Sequence, residues 1–215
     1  MHAVHERRIC PRIVRADFGM ENSVVQQMQM FLRRNCQDAL AGEKSVILGK
    51  SVHNQRIECW WSILRKHCAQ FWMNIFHDLK DNGEFSGDFL DVSLIQFCFL
   101  NLIQEEMDTV VREWNAHRIR SSRNHDGPFG CSAVMYSLPQ LLGARDLCVP
   151  VHLEEIEVCD TKCAFKGEYP CDVDVFELCT ILMTERGFSV PRNSDEGLRL
   201  YHILRTMIQR QLLFL

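Results

Sequence analysis

No long hydrophobic run is present in this sequence of 215 residues. Polar groups interrupt its apolar stretches within a few residues, well short of the roughly 20 consecutive apolar residues that a membrane-spanning helix needs. An apolar signal core is missing too, since His2, His5, Glu6 and Arg7 follow Met1 closely. Membrane insertion and secretion are therefore not expected, and a nuclear or cytoplasmic location is. Internal repeats and low-complexity tracts are absent. Eleven cysteines are present, an odd number at irregular spacing without a single Cys-x-x-Cys pair. That pattern speaks against zinc knuckles around Cys159, Cys163, Cys171 and Cys179, and against a disulfide framework. Most thiols are expected to be small buried hydrophobes in a reducing compartment. No local signature supports a Cys/His nucleophile.

A hydrophobic content of 47% with 24% charged residues describes a folded globular chain, long enough for one ordinary domain and an appendage. Its net charge of −4 is unevenly spread. Met1 to Phe71 carries eleven Lys/Arg against six Asp/Glu, a balance of +5, which leaves −9 for the remainder. Val151 to Glu177 alone holds eight acids and two lysines. Such asymmetry fits a basic face for polyanions joined to an acidic tail, although charges also simply solvate surfaces.

Ala3 to Cys10 reads as the end of a helix stopped by Pro11. Arg12 to Ala16 is a short strand, left through Asp17-Phe18-Gly19 with a glycine free to take unusual dihedrals. Val24, Val25, Met28, Phe31 and Leu32 recur at helical spacing between Asn22 and Asn35. Ser45 to Gly49 is another strand or extended turn. The next helix spans about Asn54 to His77, with Ile57, Trp60, Trp61, Leu64, Cys68, Phe71 and Ile75 as its apolar stripe. Asn54, Glu58, Ser62 and Arg65 share its polar face. A further long helix runs from Asp91, the expected N-cap, to Asn115. Arg118 to Asp126 is a basic loop, and Ser132 to Leu142 a short helix interrupted at Pro139. Beyond Pro150 the chain turns acidic and cysteine-rich. Asp172 to Gly187 and Ser194 to Leu213 then form a helical hairpin.

The strand ending in Asp17-Phe18-Gly19-Met20-Glu21-Asn22, followed after forty residues by the Glu58 of His53-Asn54-Gln55-Arg56-Ile57-Glu58, resembles the second and third acids of retroviral-type integrase and DDE transposase cores. Trp114-Asn115-Ala116-His117-Arg118, with Ser121 to Asn124 and Pro128, is similar to the segment that closes these cores. From Ala3 to about Tyr136 the match resembles the integrase core domain proteins of animal genomes. Each acid taken alone is an ordinary surface residue; their combination with Gly19, Asn22, His53 and Asn54 carries the likeness.

The resemblance implies an α/β fold: a partial ribonuclease H-like integrase core over residues 1–136, with an acidic, cysteine-rich connector over 137–171 and a small α-helical C-terminal appendage over 172–215. It implies Asp17 and Glu58 as catalytic residues and as ligands of Mg²⁺ or Mn²⁺, hard ions that favour carboxylate oxygens. It also implies DNA as partner, with a homo-oligomer possible in principle. Lys50, Asn54, Arg56, Arg65, Arg118, Arg120 and Arg123 are the DNA-binding candidates, of which the last three serve equally well as surface charge. Family cores use three acids, the first on an initial strand. Sixteen residues precede Asp17 here and are taken up by a helix end and a strand, so a shortened, inactive form is expected. Cys59-Trp60 stands where the family pattern has Arg-Leu. Trp60-Trp61 has the chemistry to stack bases, but its place on the apolar stripe argues for core packing. The reading is of a mobile-element-derived integrase with lost strand transfer; the alternative is a domesticated DNA-binding or protein-interaction module.

Overall fold

The computed structural model of the chain describes residues 1–49, 55–121, 129–164 and 167–212. Its helices are α1 (His2–Arg7), α2 (Ser23–Leu32), α3 (Gln55–Leu64), α4 (Gln70–Asp81), α5 (Phe89–Ala116), α6 (Ser132–Ser137), α7 (Leu153–Asp160), α8 (Val173–Arg186) and α9 (Ser194–Leu212). Its strands are β1 (Ile9–Cys10), β2 (Val14–Asp17), β3 (Val46–Gly49), β4 (Arg118–Ile119), β5 (Gly130–Cys131) and β6 (Val149–Pro150). Among the described residues the strands form three two-stranded sheets, β1–β6, β2–β3 and β4–β5. The α/β class holds in this coarse sense, with helix in large excess. No helix among the described residues is long and apolar enough to cross a membrane.

Two compact units divide the chain, Met1–Ser62 with Arg118–Phe165, and Ile63–His117 with Lys166–Leu215. In the first, α1 stops earlier than the sequence predicts. Arg8 adopts the left-handed conformation (φ 52°) and gives its N–H to the Val4 carbonyl. The reversal frees Ile9 and Cys10 to pair antiparallel with Pro150 and Val149. Strands β2 and β3 are parallel, and α2 supplies the crossover that a parallel pair requires. Cys10, Leu32, Val151, Ile156 and Cys159 form this unit's buried core. Helix α7 lies in the stretch expected to be a connector. Its signal was present in Ile156 and Cys159, three apart on one face, between the acids Glu154, Glu155 and Glu157.

The second unit is helical, with α5 packed against both α8 and α9. Leu94, Cys98 and Phe99 of α5 meet Cys179 and Leu182 of α8 and Tyr201 and Leu204 of α9 in its core. Asp172 caps α8 by accepting from the N–H groups of Asp174 and Val175, and Gly187 ends it at φ 66°, as the sequence predicts. Asp91 is not the cap of α5. Asp88 is, accepting from the Asp91 N–H at 2.8 Å. That sends the Asp91 carboxylate inward, where burial is complete.

A π-helical turn over Arg65–Ala69 links α3 to α4. Its wider winding shifts the phase of everything after it. Beyond it the apolar stripe read from the sequence therefore moves: Phe71 is exposed, whereas Trp72 and Leu79 are buried; Trp61, ahead of the turn, is also exposed, and Cys68 is buried as predicted. The cysteines also divide more evenly than expected, with Cys10, Cys68, Cys98, Cys159 and Cys179 buried and Cys59 and Cys148 exposed.

Candidate metal and nucleic-acid site

The first unit builds its site from the ends of β2 and β3. Gln29, buried on α2, donates from Nε2 to the Pro11 carbonyl at 2.8 Å and so fixes the helix to the approach of β2. At the far end of α2, the buried Arg33 donates from Nη2 to Asp38 Oδ2 at 2.5 Å. Burial works most strongly against the Arg33 charge, but the hydrogen bond to Asp38 together with the charges of Cys36, Asp38 and Cys10 outweighs it, and its pKa rises. The Arg33 hydrogen bond, with the Leu40 N–H, holds the Asp38 carboxyl below the usual carboxylate range. Ser45, buried, donates from Oγ to the Gly42 carbonyl at 2.6 Å and turns the chain into β3.

The register pairs Val14 with Val46, Arg15 with Ile47, Ala16 with Leu48 and Asp17 with Gly49. Asp17 thus stands at the carboxyl end of β2 beside the carboxyl end of β3, about 4.8 Å being the usual separation of neighbouring strands. Open α/β sheets bind ligands beyond this edge. Asp17 Oδ1 accepts a hydrogen bond from Asn22 Nδ2, which fixes the carboxylate's orientation. Gly19, expected to take an unusual conformation, has φ −63° and ψ 141°, open to any residue. It opens the turn Met20–Asn22 that brings Asn22 back to Asp17.

Glu58 lies in the first turn of α3 and is exposed. A carboxylate there is favoured by the helix dipole. Asp17 and Glu58 belong to the same unit. The register places Asp17 beside the strand that leads, nine residues after Gly49, to Glu58. Both are hard oxygen donors, the ligand type that Mg²⁺ and Mn²⁺ take. Among the described residues no three or more His, Cys, Asp or Glu side chains are grouped to hold a metal. Neither Asp17 nor Glu58 belongs to such a group.

The basic candidates separate. Arg118, on β4, and Arg120 are exposed in the unit that holds Asp17 and Glu58. Arg65 belongs to the second unit, where its Nε donates to Gln70 Oε1 at 3.3 Å. Arg56 falls within α3. Lys50, His53, Asn54 and Arg123 lie outside the described residues. Sequence reading passed over Arg15. It is exposed, two residues before Asp17, and the period-2 alternation of a strand puts both side chains on one face. That alternation was the available signal.

Comparison with known families finds the family described as integrase core domain matching residues 1–130. Comparison with curated proteins and with solved structures finds no match.

Proposed function

The chain belongs to the integrase core domain family, and from that premise we propose that it is a mobile-element-derived, integrase-like protein whose first unit engages DNA. The observation that supports this best is the pairing of Asp17 with Gly49 at the carboxyl edge of β2–β3, which leads to Glu58 in the following helix. In this reading the fold is ribonuclease H-like, and Asp17 and Glu58 would hold a divalent cation. A bound cation supplies Lewis-acid polarisation of a phosphodiester and a more acidic attacking hydroxyl.

The chain's own residues orient and bind. Asn22 fixes the Asp17 carboxylate, and Glu58 stands in the first turn of α3. Arg15, Arg118 and Arg120, with Lys50, Asn54, Arg56 and Arg123, are the phosphate contacts proposed, and Arg65, in the second unit, is left out of the set. Such contacts give affinity without sequence choice. Two carboxylates hold one cation weakly, so strand transfer is proposed to be lost while DNA binding persists.

Two measurements test this reading. Binding of a labelled DNA duplex is followed by fluorescence anisotropy against salt, and end-joining is assayed in Mg²⁺ and in Mn²⁺. The expected result is affinity that falls steeply with salt and no joined product. Joined product that Asp17→Asn or Glu58→Gln abolishes would overturn the loss of chemistry. Absence of duplex binding would overturn the DNA reading itself.

A further inference from the structure

The helical second unit contains a cavity of about 400 Å³ between α5, α8 and the chain on either side of α8. Phe97 of α5 and Phe176 of α8 meet there with ring centroids 5.6 Å apart and planes inclined at 65°, so that they form two walls of a corner. Phe188 supplies a third ring, and Pro170 and Pro191 extend the apolar lining. The polar part of the lining is selective in its own way. Thr180 and Thr184 give their hydroxyl protons to the carbonyls of Phe176 and Thr180, both at 2.8 Å. What those hydroxyls have left to offer is oxygen lone pairs. None of the described residues that line the cavity is charged. Acids stand next to it instead. Glu177 follows Phe176 and is exposed, and the exposed Glu105 lies one turn after Asn101, itself a lining residue, on the same face of α5.

We propose that this cavity binds a methylated ammonium group on an alkyl stem, the side chain of a methylated lysine in a basic segment of a partner protein. The faces of the three rings carry the negative side of the aromatic quadrupole and attract a cation. The threonine oxygens and the flanking acids act in the same sense, and all of them repel an anion. Methylation replaces the N–H donors of the ammonium with apolar surface while the charge remains. Such a head enters between rings without leaving donors unsatisfied, whereas an unmodified ammonium does not. The volume is that of a pocket for a small ligand, enough for the head and its stem. Charge also identifies what carries the lysine. The second unit holds ten Lys/Arg against sixteen Asp/Glu, an excess that complements a basic chain on either side of the modified residue. Arg186 and Arg192, on either side of Phe188, are exposed too, so the acids that face the partner are those of α5 and α8.

The test titrates the full chain by calorimetry with three ten-residue peptides that differ at one central position flanked by arginines. That position is trimethyl-lysine, unmodified lysine, or a neutral isostere of trimethyl-lysine in which carbon replaces the nitrogen. The trimethyl-lysine peptide is expected to bind about tenfold more tightly than either of the others, the range of a cation held against aromatic faces. Phe176→Leu keeps an apolar wall without a ring and is expected to abolish the preference for the charged head over its isostere. Glu177→Gln, at an exposed position, is expected to weaken the trimethyl-lysine peptide about threefold. Equal affinity of wild-type protein for the charged head and the isostere overturns the proposal by showing a plain apolar groove, whether or not Phe176→Leu folds. Choline that binds as tightly as the peptide overturns the protein partner in favour of a small ligand. Absence of binding by all three peptides overturns the site itself.

Discussion

Asp91 and Arg205 are joined at two points, Nε to Oδ1 at 2.6 Å and Nη2 to Oδ2 at 3.1 Å. The Asp91 carboxylate is wholly buried at the start of α5, and Arg205 reaches it from α9. Ser86 adds its N–H at 2.6 Å and its hydroxyl at 2.8 Å to Oδ2. Beside this pair the fully buried Tyr201 donates its hydroxyl to the Glu84 carbonyl at 2.9 Å. The C-terminal helix is thereby fastened to the loop ahead of α5 as well as to its apolar face. Removing the cation strands a charge without water. Arg205→Met is expected to cost about 3 kcal/mol in unfolding free energy, the range for breaking a buried pair from one side. Urea unfolding followed by circular dichroism checks this, and a change under 1 kcal/mol would mean that the pair is not closed in solution.

The same carboxylate sets a pH dependence. Burial pushes the Asp91 pKa up, but the hydrogen bonds from Arg205 and Ser86 and the Arg205 charge outweigh it, leaving the pKa below its ordinary value. A group with a depressed folded-state pKa stabilises the fold fully above its unfolded pKa, about 3.9 for aspartate. That stabilisation is lost as pH falls through the lower, folded-state value. The stability gap between wild-type protein and Asp91→Asn is therefore expected to be constant from pH 7 to about pH 5 and to shrink below about pH 4. Thermal melts of both proteins across that range provide the measurement. A gap that widens on acidification contradicts the assignment.

Much of this architecture was legible in the residues, and where it was not the cause is local. Asp172, Gly187 and Pro139 mark their boundaries because capping, left-handed turns and a missing N–H act within one turn of chain. The stripe on α4 was misread because a 3.6-residue period cannot foresee the π turn at Arg65–Ala69. Asp91 was taken for a cap since Asp88, three residues earlier, offers the same chemistry, and only burial by α9 tells them apart. The pairing of β1 with β6 joins residues about 140 positions apart through two-residue strands, too short to carry a pattern. Asp17 and Glu58 stood out through resemblance, whereas Arg15 needed the strand's alternation to be read against Asp17.

Gly197 lies in α9, where an alanine would ordinarily favour the helix by about 1 kcal/mol. Here a Cβ would come within 2.8 Å of Cε1 and 3.1 Å of Cδ1 of the buried Phe99 ring. Phe99 itself packs edge-on against Trp72 and Phe76, so its ring has little room to retreat. Gly197→Ala is expected to destabilise the fold by about 1–3 kcal/mol, the usual cost of overpacking. Combining it with Phe99→Leu, which shortens the opposing side chain, should recover part of that loss in urea unfolding. A Gly197→Ala protein more stable than wild type would show that α5 and α9 do not approach this closely.

Arg15 and Arg34 are both exposed arginines of the first unit, yet they are differently engaged. Arg34 is committed within the fold: Nη2 meets Glu155 at 2.9 Å, and its guanidinium lies 3.7 Å over the Phe31 ring. Arg15 shares a strand face with Asp17 and projects where the proposed DNA would lie. Each phosphate contact contributes about one to the slope of log affinity against log salt. Arg15→Gln is thus expected to lower that slope by about one and to weaken binding alike for every duplex sequence. Arg34→Gln should leave the slope as it is and act instead on stability, by freeing Glu155 of α7. Anisotropy titrations at several salt concentrations separate the two. A slope that responds to Arg34 and not to Arg15 would move the DNA to the face formed by α2 and α7, away from the carboxyl edge of β2.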